Sequence, residues 1–204
     1  MTVTAVVFDL GGVLTGPPFA GIAAYETSVG LPEGSISGYF RGDPVFSSLE
    51  RGEVGAREFW KSVGVRVQEA HGVRIDLRAL AATTEAASDL QPDALALVRE
   101  LHGSYSLGLL TNNVAEAATW RAQLPAELFD VVIDSSTVGL RKPDPRIYEL
   151  LIARLDRPAA EVVFVDDFEE NLPPAAAIGI QVIGFESVTQ CRAALAALGV
   201  PRSG

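Results

Sequence analysis

The sequence has few of the residues and segments that several protein classes require. Its 204 residues include one cysteine, Cys191, which excludes a disulfide framework and a zinc site built from cysteines. No uninterrupted run of about 18 apolar residues is present, which argues against a membrane span. The first residues lack the basic segment, apolar stretch and cleavage site of a secretory signal, so we expect a soluble, cytoplasmic protein.

Basic residues are also scarce. The chain has 16 lysines and arginines against 26 acidic residues, which gives a formal net charge of −10. Such a charge repels nucleic acid phosphates and anionic membrane surfaces, so we expect neither as a partner. Apolar residues, in contrast, make up 48% of the chain. They suffice for one domain of ordinary size, or for one core that carries an insertion.

The stretch that ends at Asp9 predicts the first element of that core. Residues 3–8 are mostly apolar and β-prone, and such a run before glycines is typical of a strand buried on both faces. In an open parallel sheet, the carboxyl end of this strand points into the crevice where ligands bind. We therefore expect Asp9 at the mouth of a site, where Gly11 and Gly12 let the backbone come close to a ligand. A strand cap followed by a tight turn is the alternative.

The segment from Phe19 to about Asp89 has a different character. Its apolar positions fall roughly at helical spacing and are interrupted by glycines and prolines, although residues 72–75 are ambiguous. We interpret the segment as a helical insertion whose aromatic residues form a core of their own.

From Pro92 onward, predicted helices alternate with short apolar strands. The helices are predicted over residues 93–102, 115–122, 145–154, 172–178 and 189–198, and the strands over residues 107–110, 131–133, 162–165 and 181–184. This alternation implies crossover units and a parallel sheet, which is an α/β fold.

Polar side chains follow three of the predicted strands, at the edge where parallel strands end. They are Asp9, then Thr111, Asn112 and Asn113, and then Asp166 and Asp167. Lys142, which the neighbouring prolines hold in an extended backbone, is a further candidate for the same site. Carboxylates from separate strand ends bind Mg²⁺, and a carboxylate beside such a metal can attack phosphorus to form an aspartyl-phosphate.

Each of these side chains also has an ordinary explanation. Thr111, Asn112 and Asn113 are suited to a helix N-cap, and the paired acids could cap the next helix. Lys142 could be a solvated surface residue. Their combination, in this order and spacing, favours a site in which hydroxyl and amide groups hold a phosphoryl group and Lys142 neutralises charge.

These stretches resemble the four motifs of the haloacid dehalogenase superfamily, and the resemblance covers essentially the whole chain. The matching stretches are Phe8-Asp9-Leu10-Gly11-Gly12-Val13-Leu14, Leu109-Leu110-Thr111-Asn112-Asn113, Lys142-Pro143-Asp144-Pro145 and Phe164-Val165-Asp166-Asp167. Within the superfamily, the sequence is similar to the phosphatase-type domain at the N-terminus of soluble epoxide hydrolases and to small bacterial sugar-phosphate phosphatases. The resemblance implies a Rossmann-like core of residues 1–14 and 90–204, with a helical cap of residues 15–89 inserted after the first strand.

The resemblance also implies a role for each matching residue and a small phosphorylated substrate. Asp9 is the nucleophile and a ligand of Mg²⁺, and Lys142 steadies the phosphoryl group. Thr111 and Asn112 hold that group, with the backbone at Gly12 close to it. Asp167 is the direct Mg²⁺ ligand, with Asp166 beside it or behind it.

One position departs from the family pattern. Gly11 stands where family phosphatases usually carry a second Asp, which protonates the leaving oxygen and then activates water. The glycine still offers the backbone carbonyl that ligates the metal, but it lacks an acid–base group worth about 10²–10⁴-fold in rate. Three outcomes follow: a slow phosphatase restricted to good leaving groups, replacement by another residue or a water, or phosphate binding without turnover.

Two other functions stay open. A metal-independent 2-haloacid dehalogenase of the same superfamily also lacks the second Asp, but the paired acids Asp166 and Asp167 favour the phosphatase. A catalytically degraded phosphate-binding or regulatory protein is the other alternative. Retention of Asp9 and Lys142 argues against it, because a binding module needs no nucleophile.

The remaining candidates carry no ligand pattern. We interpret His71 and His102 as structural or surface residues, and Cys191 as buried or half-buried in a helix. Substrate identity is expected to reside in residues 15–89, because caps close over the crevice and exclude water. A monomer or a homodimer is expected.

Overall fold

The computed structural model describes residues 2–40, 42–117 and 123–200. Among these residues, five strands form one parallel sheet in the order β3-β2-β1-β4-β5. The strands are β1 (Ala5–Phe8), β2 (Ser106–Thr111), β3 (Val131–Asp134), β4 (Val162–Asp166) and β5 (Gln181–Gly184). The predicted α/β class with a Rossmann-like parallel sheet is confirmed.

Helices cover both faces of the sheet and fill the connection between its first two strands. They are α1 (Pro18–Ser28), α2 (Pro44–Glu50), α3 (Ala56–His71), α4 (Leu77–Ala87), α5 (Pro92–Leu101), α6 (Ser135–Val138), α7 (Pro145–Leu155), α8 (Leu172–Ala177) and α9 (Val188–Ala197). Short 3₁₀ helices lie at Ser37–Phe40, Ala115–Ala117, Ala126–Leu128, Ala159–Glu161 and Glu169–Asn171. In the part of the chain that the structure describes, none of the helices has both the length and the apolar character needed to cross a membrane.

Strand β1 is apolar throughout because both of its faces are buried. Val6 and Phe8 pack into one hydrophobic cluster, with α5 and α9. Ala5 and Val7 pack into a second cluster on the opposite face, with α7 and α8. Successive side chains of a strand point to opposite faces, so a strand between two helical layers needs an apolar residue at every position.

Helices α1 to α4, which we call the helical segment (residues 18–87), have a core of their own. Phe40 lies at the centre of its aromatic residues, with ring centroids 4.7–5.7 Å from four rings, those of Phe19, Phe46, Phe59 and Trp60. The expectation of a separate aromatic core is confirmed.

Two neighbouring strips of chain connect the helical segment to the sheet. Thr15 forms an isolated antiparallel bridge with Leu90, and the backbone N–H of Gln91 donates to the carbonyl of Leu14 at 2.8 Å. The division into a core of residues 1–14 and 90–204 and a cap of residues 15–89 stays a prediction.

The elements differ from the sequence expectations in detail. Residues 72–75 form an irregular connection between α3 and α4. Of the helix expected over residues 115–122, the structure describes the 3₁₀ helix Ala115–Ala117, and residues 118–122 lie outside the described residues. Most other boundaries shift by one or two residues, as they do between helix definitions.

Candidate active site

The order of the strands places β1 at the point where the chain changes direction across the sheet. Strands β2 and β3 lie on one side of β1, and β4 and β5 lie on the other. In open α/β sheets, ligands bind outside the carboxyl ends of the strands at such a switch point. Phe8 lies level with Leu109 and Val165 in the neighbouring strands. The residues that follow β1, β2 and β4 therefore emerge together at one edge.

Lys142 lies between two carboxylates at this edge. Its Nζ is 2.9 Å from Oδ1 of Asp9 and 2.6 Å from Oδ2 of Asp166, and 1% of its side chain is exposed. Burial lowers the pKa of Lys142, but the charges of Asp166 and Asp9 outweigh burial, so the pKa is raised. The ammonium group is therefore charged at neutral pH, and the alternative of a solvated surface lysine is wrong.

Asp9 behaves differently from an ordinary carboxylate. Burial raises the pKa of Asp9 to about 7, even though the charge of Lys142 opposes that shift. A further cation beside Asp9 would favour the carboxylate, which is the nucleophilic form.

Asp166 is fully buried, and the protein itself engages both of its oxygens. Oδ1 accepts hydrogen bonds from the backbone N–H of Phe168 at 2.8 Å and from Nδ2 of Asn171 at 3.1 Å. Oδ2 accepts from Nζ of Lys142 at 2.6 Å and from the same Asn171 amide. These contacts favour Asp166 as a group that orients Lys142 rather than as a direct ligand of a metal.

Asp167 has the opposite character. Its Oδ1 is buried and has no hydrogen-bond partner among the described residues. Burial, and then the charge of Asp166, raises the pKa of Asp167 to about 6. One oxygen each from Asp9, Asp166 and Asp167 lies within 4.8 Å of the others. A buried carboxylate oxygen without a partner is costly, and a hard divalent cation with oxygen ligands fits this set.

Gly12 leaves the space that Asp167 occupies. Its φ of +79° is in the left-handed region, and a Cβ placed on it would lie 2.6 Å from Cγ of Asp167. The close backbone approach expected at Gly12 is therefore made to a side chain of the protein. Contact between Gly12 and a substrate stays a prediction. Gly11, in the same turn, brings no ionisable group to the site.

Asn112 holds the backbone of Lys142 in place. Its Oδ1 accepts from the backbone N–H of Lys142 at 2.8 Å, and its Nδ2 donates to the Lys142 carbonyl at 2.9 Å. Thr111 is 2% exposed, and its hydroxyl makes a long contact of 3.4 Å with the Asn112 carbonyl. The Asn112 side chain thus has a positioning task that the motif did not reveal. Contact of Thr111 and Asn112 with a phosphoryl group stays a prediction.

Two residues near the site lay outside the sequence prediction. Asn171 follows Asp166 by five residues, so a search for amides just beyond the predicted strand would have found it. Glu50, at the end of α2, accepts a hydrogen bond at 2.6 Å from Nε of Arg141, 91 residues away. No local signal in the sequence predicts that contact.

The residues interpreted as structural lie elsewhere. His71 is the last residue of α3, and His102 follows α5; both are exposed. His102 borders a shallow groove of about 630 Å³ at the amino ends of the strands, which contains none of the acids described above. Cys191 is buried in α9, as expected.

Comparisons with known proteins agree with this geometry. A family model described as haloacid dehalogenase-like hydrolase matches residues 3–179. The chain is 32% identical over 207 residues to bifunctional epoxide hydrolase 2 of Mus musculus. The aligned region covers 90% of this chain and 36% of that longer protein. It is 31% identical over 185 residues to the sesquiterpene phosphatase astK of Aspergillus oryzae, which covers 88% of each chain.

Solved structures share the fold. A HAD family enzyme from Bacteroides thetaiotaomicron, in complex with magnesium and inorganic phosphate, matches with a TM-score of 0.68 and 21% identity over 90% of this chain and 94% of that one. An L-2-haloacid dehalogenase matches with a TM-score of 0.61 and 21% identity over 88% and 82% of the two chains. At such identities these likenesses establish the fold alone.

Proposed function

Since the chain belongs to the haloacid dehalogenase-like hydrolases, which are enzymes, we propose that it is a Mg²⁺-dependent phosphatase of small phosphate monoesters. The proposed reaction passes through an aspartyl-phosphate on Asp9. The observation that carries this proposal is the buried group of Asp9, Lys142 and Asp166, beside the unpaired Oδ1 of Asp167. The similarity to a sesquiterpene phosphatase over most of both chains supports the same reaction type.

In this proposal Asp9 is the nucleophile. A carboxylate oxygen attacks phosphorus, and the bond from phosphorus to the ester oxygen breaks. The ester oxygen takes the electron pair of that bond and a proton from water or another residue, and leaves as the alcohol. Water then attacks phosphorus, releases phosphate and restores the carboxylate. Lys142 stabilises the ionised nucleophile and the negative charge on the transferring group. Thr111, Asn112 and the backbone at Gly12 hold the phosphoryl oxygens.

The metal site follows from the same residues. Asp9, Asp167 and the backbone carbonyl of Gly11 would hold Mg²⁺, with Asp166 behind them. The bound ion would supply neutralising charge to the phosphoryl oxygens and to the carboxylates. The unpaired Oδ1 of Asp167 and a donor set made only of oxygens support this assignment.

Gly11 limits the proposed rate. Without a carboxyl group at this position, the leaving oxygen receives its proton from water or from another residue, and a contribution of about 10²–10⁴-fold is lost. We therefore propose a slow phosphatase that prefers esters with weakly basic leaving groups.

Two alternatives are kept. The shared fold with an L-2-haloacid dehalogenase keeps a metal-independent 2-haloacid dehalogenase open. The unpaired Oδ1 of Asp167 disfavours the dehalogenase, because attack of Asp9 on carbon needs no cation. Without a cation, this buried oxygen would have no partner. A catalytically degraded phosphate-binding or regulatory protein is favoured by Gly11 and disfavoured by the buried Asp9–Lys142 pair.

Release of phosphate from p-nitrophenyl phosphate, with and without Mg²⁺, tests the proposal beside release of chloride from 2-chloropropionate. We expect Mg²⁺-dependent phosphate release that Asp9→Asn abolishes. Asp93→Asn, the same change at an exposed acid in α5, serves as the control and keeps the activity. Chloride release without Mg²⁺ and without phosphatase activity would identify a dehalogenase. Binding of beryllofluoride and Mg²⁺ without turnover would identify a degraded protein.

A panel of sugar phosphates, nucleotides and acyl phosphates would then identify the substrate class. A cytoplasmic location and a monomeric or homodimeric state belong to the same proposal. Size-exclusion chromatography with light scattering measures the oligomeric state directly.

A further inference from the structure

An ion pair joins the helical segment to the residue that precedes Lys142. Glu50 ends α2, and its Oε2 accepts a hydrogen bond from Nε of Arg141 at 2.6 Å. The exposed fraction is 8% for the Glu50 side chain and 22% for the Arg141 side chain. This pair is far better shielded from water than the pair of Arg51 and Glu53 in the next turn, where the exposed fractions are 30% and 52%.

Further contacts attach the same turn to the edge of the sheet. The carbonyl of Glu50 accepts from the hydroxyl of Ser135 at 2.6 Å, and that hydroxyl accepts from the backbone N–H of Asn113 at 2.9 Å. Gly52, with a φ of +71°, approaches so closely that a Cβ on it would lie 2.6 Å from the Ser136 carbonyl. The end of α2 is therefore fixed on the residues that follow β2 and β3.

The stretch that carries Lys142 is held from two sides. On the side of the sheet, the Asn112 carboxamide binds both backbone groups of Lys142. On the side of the helical segment, Glu50 binds the side chain of Arg141. Within the stretch itself, the backbone N–H of Asp144 donates to the carbonyl of Arg141 at 2.9 Å. A shift of α2 would therefore be passed to Lys142 through one residue.

A buried ion pair is a poor source of net stability, because desolvation offsets most of the attraction between the charges. It is, however, a geometric restraint here, because the Glu50 carboxylate, which is 8% exposed, would be left without its partner where little water reaches it. Such a restraint next to Lys142 acts where small displacements matter. Nζ of Lys142 must stay within hydrogen-bond distance of Asp9 and Asp166 together.

We propose that Glu50 and Arg141 form a positioning pair, through which docking of the helical segment sets the place of Lys142 between Asp9 and Asp166. The inference rests on the proposed phosphatase function and adds a coupling between the helical segment and the reacting group. The rival role for Glu50 is that of the proton donor missing at Gly11. A glutamine at position 50 separates the two roles, because it can still accept the hydrogen bond from Arg141 but cannot act as a general acid.

The first test compares two variants of Glu50. Glu50→Ala removes the acceptor of the Arg141 N–H. We expect kcat to fall by up to about 10²-fold, because a reacting group that is misplaced by about 1 Å can cost that much in rate, with a smaller change in KM. Glu50→Gln keeps an oxygen in that place and is expected to retain most of the activity. Glu53→Ala, which removes the acceptor of the exposed neighbouring pair, is the matched control and stays at the wild-type level.

The dependence on the leaving group separates positioning from proton donation. Loss of a positioning residue lowers the rate equally for p-nitrophenyl phosphate and for an alkyl phosphate. Loss of a proton donor lowers the rate of the alkyl phosphate far more, because its leaving oxygen is more basic. Two results would overturn the proposal: a wild-type rate in Glu50→Ala, or a loss in Glu50→Gln as large as in Glu50→Ala and greater for the alkyl ester.

A readout without turnover keeps this inference separate from the proposed function. Hydrogen exchange of the backbone amides in residues 138–145 is measured by mass spectrometry in the substrate-free wild type and its variants. Glu50→Ala is expected to exchange faster in this stretch than the wild type and Glu53→Ala. Equal exchange in all three proteins would refute the coupling, whether or not the wild type hydrolyses phosphate esters.

Discussion

Replacement of Gly12 by alanine is a sharp test of the metal site, because the structure separates two effects of the change. The left-handed backbone at φ +79° costs a residue with a Cβ about 1–2 kcal/mol. The new Cβ would also lie 2.6 Å from Cγ of Asp167, where ordinary contacts begin at 3.4 Å. Oδ2 of Asp167 would lie closer still to the new Cβ, so the carboxylate must move by at least about 0.8 Å, and a displacement near 1 Å in a reacting geometry can cost about 10²-fold in rate.

Gly72→Ala is the matched control for this variant. Gly72 ends α3 with a φ of +71°, and a Cβ there would meet nothing within 4 Å. Both variants are expected to lose about 2–8 °C in Tm, since each kcal/mol shifts the Tm of a chain of this size by about 2–4 °C. Gly12→Ala alone is expected to lose kcat and to bind Mg²⁺ about 10–100-fold more weakly, measured by calorimetry. If Gly12→Ala kept wild-type Mg²⁺ affinity and activity, Asp167 would not be a metal ligand.

Three further predictions concern the same group of residues. Asn112→Ala is expected to lower kcat about 10–100-fold, because it frees the backbone of Lys142; steady-state kinetics measures it, and an unchanged kcat would contradict the positioning role. Mg²⁺ should bind more tightly as the pH rises through 6 and 7, because the raised pKa values of Asp9 (about 7) and Asp167 (about 6) require protons to leave. Calorimetry in two buffers of different ionisation enthalpy counts those protons, and an affinity independent of pH would refute the assignment. Gly11→Asp should raise kcat for an alkyl phosphate by up to about 10²-fold and more than for p-nitrophenyl phosphate; equal effects on both esters would show that the new carboxyl group donates no proton.

The sequence predicted the elements whose signal is local. The apolar run before Asp9 reflects burial on both faces of β1, so the continuous run and the glycines directly after it were sufficient to find the strand. The alternation of strands and helices then placed Asp9, Thr111 and Asp166 at one edge, because parallel strands end on the same side. In the structure, β1 pairs in register with β2 and β4, so the residues at the ends of these three strands lie close together.

Orientation within the site could not be predicted in the same way. Asp166 and Asp167 are neighbours in sequence, but their surroundings differ. The oxygens of Asp166 accept hydrogen bonds from Asn171 and Lys142, whereas Oδ1 of Asp167 has no partner among the described residues. Successive side chains at a strand end point in different directions, and which partners they meet depends on loops far away in sequence. The pair of Glu50 and Arg141 is the extreme case, since 91 residues separate its members.

The charge of Lys142 and the lack of an acid at Gly11 affect the choice of substrate in different ways. In the proposed mechanism, Lys142, charged and held between two carboxylates, stabilises the transferring group whatever alcohol is attached to it. A general acid, in contrast, matters in proportion to the basicity of the leaving oxygen. Turnover by the wild type should therefore rank esters by the pKa of their leaving groups, with acyl and aryl phosphates ahead of alkyl phosphates. That ranking should flatten in Gly11→Asp and stay unchanged in Glu50→Ala. A panel that ranked substrates by shape alone would show that another group already donates the proton.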